Sequence, residues 1–243
     1  MSTIRGARER ARTEITAAIK DEARAQLAAE GAAKLSLRAV ARELGMASSA
    51  LYRYFPSRDD LLTALIVDAY DAVGLAAEAA LAAAPPAADP CARWTAACSA
   101  VRAWALDHPH EYALIYGSPV PGYTAPKDTV APASRVALAL VSVIRDAHRT
   151  NGLALPPLSA GLRPEADRMA DDIAPDLPPA VVTAMVAAWS QLFGTISFEL
   201  FGHFNNVVAD RDAFFEHTTT RLAHEVGLRP QATGTSAGSS AGS

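Results

Sequence analysis

The sequence has little of what builds β-sheets, disulfides or membrane spans. Its two cysteines, Cys91 and Cys98, stand seven residues apart. On one helix that spacing is about 10 Å, too far for a disulfide, so we expect reduced thiols and a cytoplasmic protein. The longest nearly uninterrupted apolar run, 136–144, ends at flanking arginines, whereas a membrane span needs about 20 apolar residues. The N-terminus, rich in arginine with no apolar stretch behind it, does not read as a secretory signal.

The sequence also lacks the usual patterns of catalytic and metal sites. His108 and His110 are separated by a proline at a helix break, and His217 and His224 are too far apart along one helix to share a metal. Neither the histidines nor the cysteines have zinc or iron spacing. No glycine-rich phosphate loop and no nucleophile elbow is present. The sequence therefore predicts no metal, no cofactor, no catalytic residue and no enzyme.

Alanine is the most abundant residue in the sequence. The 243 residues include 54 alanines, roughly 22% against a far lower ordinary usage, and runs of β-branched or aromatic residues are scarce. Because alanine is the best helix former and a poor strand former, an all-α protein of one or two domains is expected. Apolar periodicity and turn residues predict helices over about 8–30, 37–44, 47–54, 58–84, 91–106, 109–116, 133–150, 164–173, 179–208 and 211–227.

Two segments stand outside this helical pattern. Residues 117–132, with four prolines and two glycines, predict an unusually long loop, and loops of that length are often functional. The low-complexity end, residues 230–243, predicts a disordered tail. The remaining chain divides into an N-terminal domain, residues 1–58, and a C-terminal domain, residues 59–229, with the fourth helix starting at the boundary.

Residues 36–55 have the spacing of a helix-turn-helix. A small residue, Ala41, is suited to the close crossing of two helices, Gly45 to a turn with positive φ, and Leu51 to the shared core. An ordinary helical hairpin would show much the same pattern. The charge distribution adds weight: residues 1–58 carry 11 basic and 6 acidic side chains, while the remaining residues carry 11 and 20. A basic N-terminal quarter on an acidic body is typical of a polyanion-binding module attached to something else.

The run at 51–61, LYRYFPSRDDL, resembles the signature of the TetR family of tetracycline-repressor-like regulators. In that family such a run ends the recognition helix and opens the fourth helix, and the first helix with Gly31 also fits. The resemblance covers about residues 8–70. It implies an all-α homodimer whose first three helices bind a double-stranded DNA operator, and whose other helices form a body that responds to a small-molecule effector. Ala47 and Ser49 depart from the usual pattern.

Residue roles at the DNA follow from chemistry and from this resemblance. The recognition helix is expected to present two hydroxyls, a methyl and a guanidinium to base edges, and only Arg53 can contact guanine in a bidentate manner. Phenolic and hydroxyl groups and two further arginines are expected at phosphates. One of the two tyrosines is expected to pack against the first helix instead, and the sequence does not say which. The predicted set is Ser36, Arg38, Ser48, Ser49, Ala50, Tyr52, Arg53, Tyr54 and Arg58.

Residues 189–204 resemble a TetR subgroup whose C-terminal region is called a WHG domain, although Phe193 stands in the histidine position. The helix that contains this segment is apolar over most of its circumference, so it must be buried on more than one side. A dimer interface formed with the last helix is one explanation, and a central position in a monomeric bundle is the other. The resemblance favours the dimer.

A pocket for a mostly apolar ligand is implied by the same resemblance. Its candidate residues are Tyr70, Trp104, Tyr112, Tyr116, His148, Trp189, Phe193 and Glu199. A filled aromatic core without a cavity is the competing interpretation. Glu199 needs a partner within its apolar helix, which could be Arg145, a side chain across a dimer or a ligand. The sequence thus predicts a repressor released from its operator by a small ligand. The alternative is a helical scaffold or an enzyme with a degenerate DNA-reading head.

Overall fold

The computed structural model describes residues 2–85 and 88–230, with side chains from residue 6 onward. Within those residues the chain is helical and has no strand, as the composition predicts. The only bridge recorded there is an isolated pairing of Leu153 with Leu228. The helices are α1 (Ser2–Glu30), α2 (Leu37–Glu43), α3 (Ser48–Leu51), α4 (Arg58–Ala83), α5 (Pro90–Asp107), α6 (Pro109–Tyr116), α7 (Val130–Arg149), α8 (Arg163–Ile173), α9 (Pro179–Leu200) and α10 (Arg211–Glu225).

The helices enclose two apolar cores. The N-terminal core joins α1, α2 and α3 to the first two turns of α4, through residues that include Ile19, Val40, Leu51 and Leu61. The larger C-terminal core is built around Trp94 and the inner faces of α4, α5, α7, α9 and α10. Helix α4 belongs to both, since its side chains up to Leu65 lie in the first core and those from Ala69 in the second. It is therefore the continuous rod between the two parts.

Four predicted helix boundaries are wrong. Helix α1 begins at Ser2 rather than near residue 8. The other three differ for a local reason. Helix α3 ends at Leu51, because the next residues form tighter turns, with the Tyr54 N–H donating to the Leu51 carbonyl at 2.8 Å. Helix α7 begins at Val130, inside the predicted loop, after a 3-10 turn at Lys127–Thr129. Helix α9 ends at Leu200 rather than near residue 208.

The end of α9 is a Schellman motif. Gly202 adopts φ +81°, its N–H donates to the Glu199 carbonyl at 3.3 Å, and the His203 N–H donates to the Phe198 carbonyl at 2.9 Å. Apolar periodicity continues beyond this point, which is why the sequence pattern extends the helix too far. The predicted tail falls, from residue 231 on, outside the described residues.

Both cysteines are free and buried, so the expectation that they form no disulfide is confirmed. Burial raises the pKa of the Cys91 thiol to about 11 and raises that of Cys98 as well. Across the described part of the chain, no group of three or more His, Cys, Asp or Glu side chains could hold a metal ion.

One described helix, α9, is long and apolar enough to cross a membrane by length and composition alone. Threonine, serine and glutamine interrupt its apolar residues, so it contains no long uninterrupted apolar run. In its most apolar 18-residue window, 39% of the residues are buried, since one side of α9 packs into the C-terminal core. Its opposite side is open in the single chain.

Candidate nucleic-acid interface and ligand cavity

The turn between α2 and α3 has helix-turn-helix geometry. Gly45 adopts φ +63°, where residues with a Cβ are disfavoured, and the Met46 N–H closes the end of α2 on the Ala41 carbonyl at 2.8 Å. Ala41 is 1% exposed, and Leu51 is fully buried beside it. The small residue, the glycine and the leucine therefore act as their spacing predicts.

Helix α3 and the residues directly after it present a short polar surface to solvent. Ser48, Ser49 and Arg53 are exposed, and Ala50 is half-buried. The preceding residue, Ala47, is the N-cap of α3 and makes no side-chain cap, as expected for a residue without a hydroxyl. Base contacts by these side chains remain a prediction.

The two tyrosines of this segment have different environments. Tyr52 is 40% exposed, so its hydroxyl is available at the surface. Tyr54 is half-buried against the N-terminal core, and the guanidinium of Arg12 lies 5.4 Å from the centre of its ring. Tyr54 is therefore the tyrosine that packs against α1, and Tyr52 is the better candidate for a phosphate contact.

At the start of α2, Ser36 caps the helix by accepting a hydrogen bond from the Ala39 N–H at 3.4 Å. This leaves its hydroxyl hydrogen available as a donor. Arg38, two residues later, is exposed. Both remain candidates for phosphate contacts beside α3.

Arg58 has a different environment from the one the sequence suggests. Its guanidinium donates to the carbonyls of Leu35 at 3.2 Å, Ala32 at 2.8 Å and Ala33 at 3.3 Å. It thereby ties the start of α4 to the segment between α1 and α2. These bonds indicate that Arg58 holds the N-terminal core together, and a phosphate contact by it remains only a prediction.

An ion-pair network connects this part to the body. Arg24 of α1 pairs with Asp68 of α4 at 2.8 Å and with Glu111 of α6 at 3.0 Å, and Lys20 reaches Asp68 at 2.8 Å. Tyr123 adds a hydroxyl contact of 2.9 Å with Thr63 of α4. The α6–α7 connection is thus tied to the N-terminal core as well as to the body.

A cavity of about 920 Å³ lies between α4, the α6–α7 connection, α7, α8 and α9. Two of the eight predicted ligand residues, Tyr70 and Trp189, line it. Residues of the predicted 117–132 loop contribute a large part of the wall, and a functional role for this loop stays a prediction. The lining residues are Ile66, Tyr70, Leu114, Ile115, Gly117, Ser118, Pro119, Val120, Tyr123, Ala125, Thr129, Val130, Ala133, Ser134, Ala137, Leu138, Val141, Asp172, Ile173, Met185, Val186 and Trp189.

Three other predicted ligand residues form an aromatic layer next to that wall. Tyr116 stacks on Phe193 with ring centres 4.0 Å apart and meets Tyr70 edge-on at 5.9 Å. Tyr112 donates its hydroxyl hydrogen to the Phe193 carbonyl at 3.0 Å, and burial raises its pKa to about 12. Burial likewise raises the pKa of Tyr116. None of the three is among the lining side chains, so they support the wall.

The remaining predicted ligand residues do not line the cavity. Trp104 stacks on His108 with ring centres 5.3 Å apart, and His148 is exposed near the end of α7. Glu199 is buried in a bidentate ion pair with Arg102 of α5, both contacts being 2.7 Å. The suggested partner, Arg145, binds Asp176 instead. Sequence reasoning missed Arg102 because it stands 97 residues from Glu199 in an unremarkable alanine-rich helix.

Helices α9 and α10 expose an apolar face on the side away from the core. Its phenylalanines are 52% exposed at Phe198, 47% at Phe201 and 39% at Phe214. Gly194, one turn before Phe198, is also exposed, and a Cβ added there would meet nothing within 4 Å. Large apolar side chains grouped around a small residue form a surface that another helix can approach closely.

Comparison with known proteins agrees with this geometry. Residues 19–65 match the model of the bacterial regulatory proteins of the tetR family, and residues 94–222 match the tetracyclin repressor-like C-terminal domain. The HTH-type transcriptional regulator Rv1816 of Mycobacterium tuberculosis is 41% identical over 236 residues, covering 89% of this chain and 94% of that protein.

Solved structures are similar as well. The crystal structure of the regulatory protein SCO4313 superposes with a TM-score of 0.73 at 36% identity, covering 89% of this chain and 98% of that one. A protein of unknown function from Rhodococcus sp. RHA1 shares the fold, with a TM-score of 0.64, 21% identity, and coverage of 87% and 92%. Helix-turn-helix geometry, domain matches and full-length similarity together identify this chain as a member of the TetR family of DNA-binding transcriptional regulators.

Proposed function

We propose that the protein is a cytoplasmic repressor that binds its operator as a homodimer and is released by a small, mostly apolar ligand. DNA binding is supported by one observation, the exposed surface of α3. This helix is the second helix of a helix-turn-helix in which Ala41 is buried and Gly45 has a positive φ. In this proposal the reading head is the DNA-binding unit formed by α1, α2, α3 and the start of α4. The start of α4 belongs to it because Leu61 and Leu65 lie in the N-terminal core. The division of the chain near residue 58 and the WHG-type character of the C-terminal domain remain predictions.

Base reading by Arg53 is tested with two substitutions. Arg53→Ala should remove a bidentate guanine contact and reduce discrimination at one base pair by about 1–3 kcal/mol. Arg53→Lys keeps the charge but loses the planar fork, so it should lose part of this discrimination while retaining the salt dependence of binding. The measurement is selection from a randomised duplex library followed by titration of the selected sites. Unchanged specificity in both variants would show that Arg53 does not contact bases. If the wild-type protein bound no duplex at all, the scaffold alternative would be favoured.

The charge of the cavity wall supports an uncharged, apolar ligand. Among the described lining residues the one charged side chain is Asp172, which pairs with Arg168 of the same helix at 2.9 Å. No lysine, arginine or histidine stands in that wall to receive a carboxylate or phosphate. The hydroxyls of Thr129 and Ser134 donate to the carbonyls of Pro126 and Ala131, which leaves their oxygens free to accept from a ligand hydroxyl. An apolar molecule with one hydroxyl group fits this chemistry.

The same wall supports coupling between ligand and operator. Val120 and Tyr123 line the cavity and also pack against the N-terminal core, and α4 passes the cavity at Ile66 and Tyr70. A ligand that displaces these groups moves the reading head relative to the body. The displacement weakens operator binding only if the ligand binds the DNA-free conformation more tightly.

Ligand binding is expected to weaken operator binding by about 5–150-fold, the range of a 1–3 kcal/mol coupling. Uncharged aromatic alcohols and their carboxylate analogues would be screened by thermal shift, and hits titrated into the operator complex. Tyr123→Phe keeps the ring and removes the 2.9 Å contact with Thr63, so it should retain ligand binding and reduce the coupling. A hit that stabilises the protein yet leaves operator affinity unchanged would refute the coupling, and preferential binding of carboxylates would refute the ligand class.

A further inference from the structure

Helix α1 extends beyond the N-terminal core as a basic arm. Its inner face is buried at Ile19 and half-buried at Ile15, and the side chains of residues 7–14, towards the N-terminus, are exposed. Going back along that face by three and four residues leads to Arg12 and Arg8, both exposed. The face that packs against the helix-turn-helix core thus continues as a pair of arginines.

The contact made by Arg12 shows where this arm lies. Its guanidinium lies 5.4 Å from the centre of the Tyr54 ring, so the arm passes directly beside the residues that follow α3. Tyr52 and Arg53, two of the exposed candidate DNA contacts, lie in that same short segment. The basic face is therefore continuous with the surface of the recognition helix.

The charge pattern along the arm favours a polyanion. Arg8 and Arg12 stand one turn apart, and like charges at that spacing repel each other unless an anion lies over them. On the opposite side, Arg10 has Glu14 one turn further on, an arrangement that balances charge within the helix. Glu9 is exposed and stands three residues before Arg12, so it offsets part of the charge of Arg12, whereas Arg8 has no acidic residue three or four positions away in the sequence.

We propose that the arginine face of the α1 arm, Arg8 and Arg12, contacts phosphates of operator DNA flanking the base pairs read by α3. The partner is double-stranded DNA, selected by charge complementarity and by continuity with the α3 surface. The arm carries no sequence information, since phosphate contacts fix register and add affinity without reading bases. It extends the footprint of each protomer beyond the recognition helix. This inference rests on DNA binding through α3.

The test compares Arg8→Ala/Arg12→Ala with the matched control Arg10→Ala on a duplex selected by the wild-type protein. Each phosphate contact contributes about 0.9 to the slope of log affinity against log salt, so the double variant should lower that slope by about 1.8 per protomer. Between 50 and 200 mM salt, the wild type should accordingly lose about tenfold more affinity per protomer than the double variant. Arg10→Ala should keep the wild-type slope.

Duplex length gives a second readout. The difference between wild type and double variant should be present on a duplex extended by about one helical turn (10 base pairs) on each side, and should vanish on one trimmed to the selected motif. Because Arg12 also packs on Tyr54, Arg8→Ala alone carries the test if the double variant melts at a lower temperature.

The outcomes separate this inference from the function on which it rests. If Arg8→Ala/Arg12→Ala and Arg10→Ala give equal slopes while the Arg53 variants lose specificity, the arm does not contact DNA and the reading head stands. If the Arg53 variants also bind like the wild type, α3 is not the reading surface, and both proposals fall together.

Discussion

Arg102→Ala should lower the free energy of unfolding by about 3–5 kcal/mol, because it leaves the Glu199 carboxylate buried without its partner. The side chains of Arg102 and Glu199 are 13% and 6% exposed, and the two bonds between them are both 2.7 Å. The bidentate bond with Glu199 raises the pKa of Arg102, so its guanidinium keeps its charge. Arg102 also lies over the Phe215 ring at 5.0 Å, so it joins α5, α9 and α10 at one point. Chemical denaturation monitored by circular dichroism measures the loss.

Two control variants test whether the loss of stability comes from the unpaired Glu199 carboxylate. Asp212 also pairs with Arg102 at 2.7 Å, but its side chain is 89% exposed, so Asp212→Asn should cost less than about 1 kcal/mol. Replacing both charges, as Arg102→Met with Glu199→Leu, removes the stranded carboxylate and should recover most of the stability. If Arg102→Ala costs no more than Asp212→Asn, the buried pair of Arg102 with Glu199 is not a major source of stability.

Phe198→Glu should turn the proposed homodimer into a monomer at micromolar concentration and weaken operator binding by about 10²–10⁴-fold. Phe198 is 52% exposed in the single chain, so the charge costs the protomer little and acts on association. Two linked reading heads bind two half-sites with a high effective concentration, and that advantage is lost when they separate. Light scattering measures the mass, and titration with a two-half-site duplex measures the affinity.

Leu75→Glu is the matched control, since Leu75 on α4 is 59% exposed and lies outside the α9–α10 face. It should leave both mass and operator affinity unchanged. A Phe198→Glu variant that stays dimeric would place the interface elsewhere, and a wild-type monomer that binds its operator with full affinity would contradict the dimer itself.

The sequence determined the fold class and the helix-turn-helix motif because both depend on residues that are close together in the chain. Alanine content and apolar periodicity specify helices, and Ala41, Gly45 and Leu51 specify a turn through the φ of one glycine and the size of one side chain. The resemblance of the run at 51–61 then gave the family, which full-length similarity shows. The predicted helix ends were less accurate where apolar periodicity continues past the residue that ends the helix, as it does at Gly202.

Only the tertiary structure decided which side chains meet across long stretches of chain. Glu199 pairs with Arg102 rather than Arg145, and Tyr54 rather than Tyr52 packs against α1. The cavity wall likewise combines the 117–132 segment with α7, α8 and α9, and it leaves out most of the aromatic residues that the sequence suggested. A helix pattern shows which face of a helix is apolar. It does not show which neighbour covers that face, because packing between helices is set by the whole assembly of side chains.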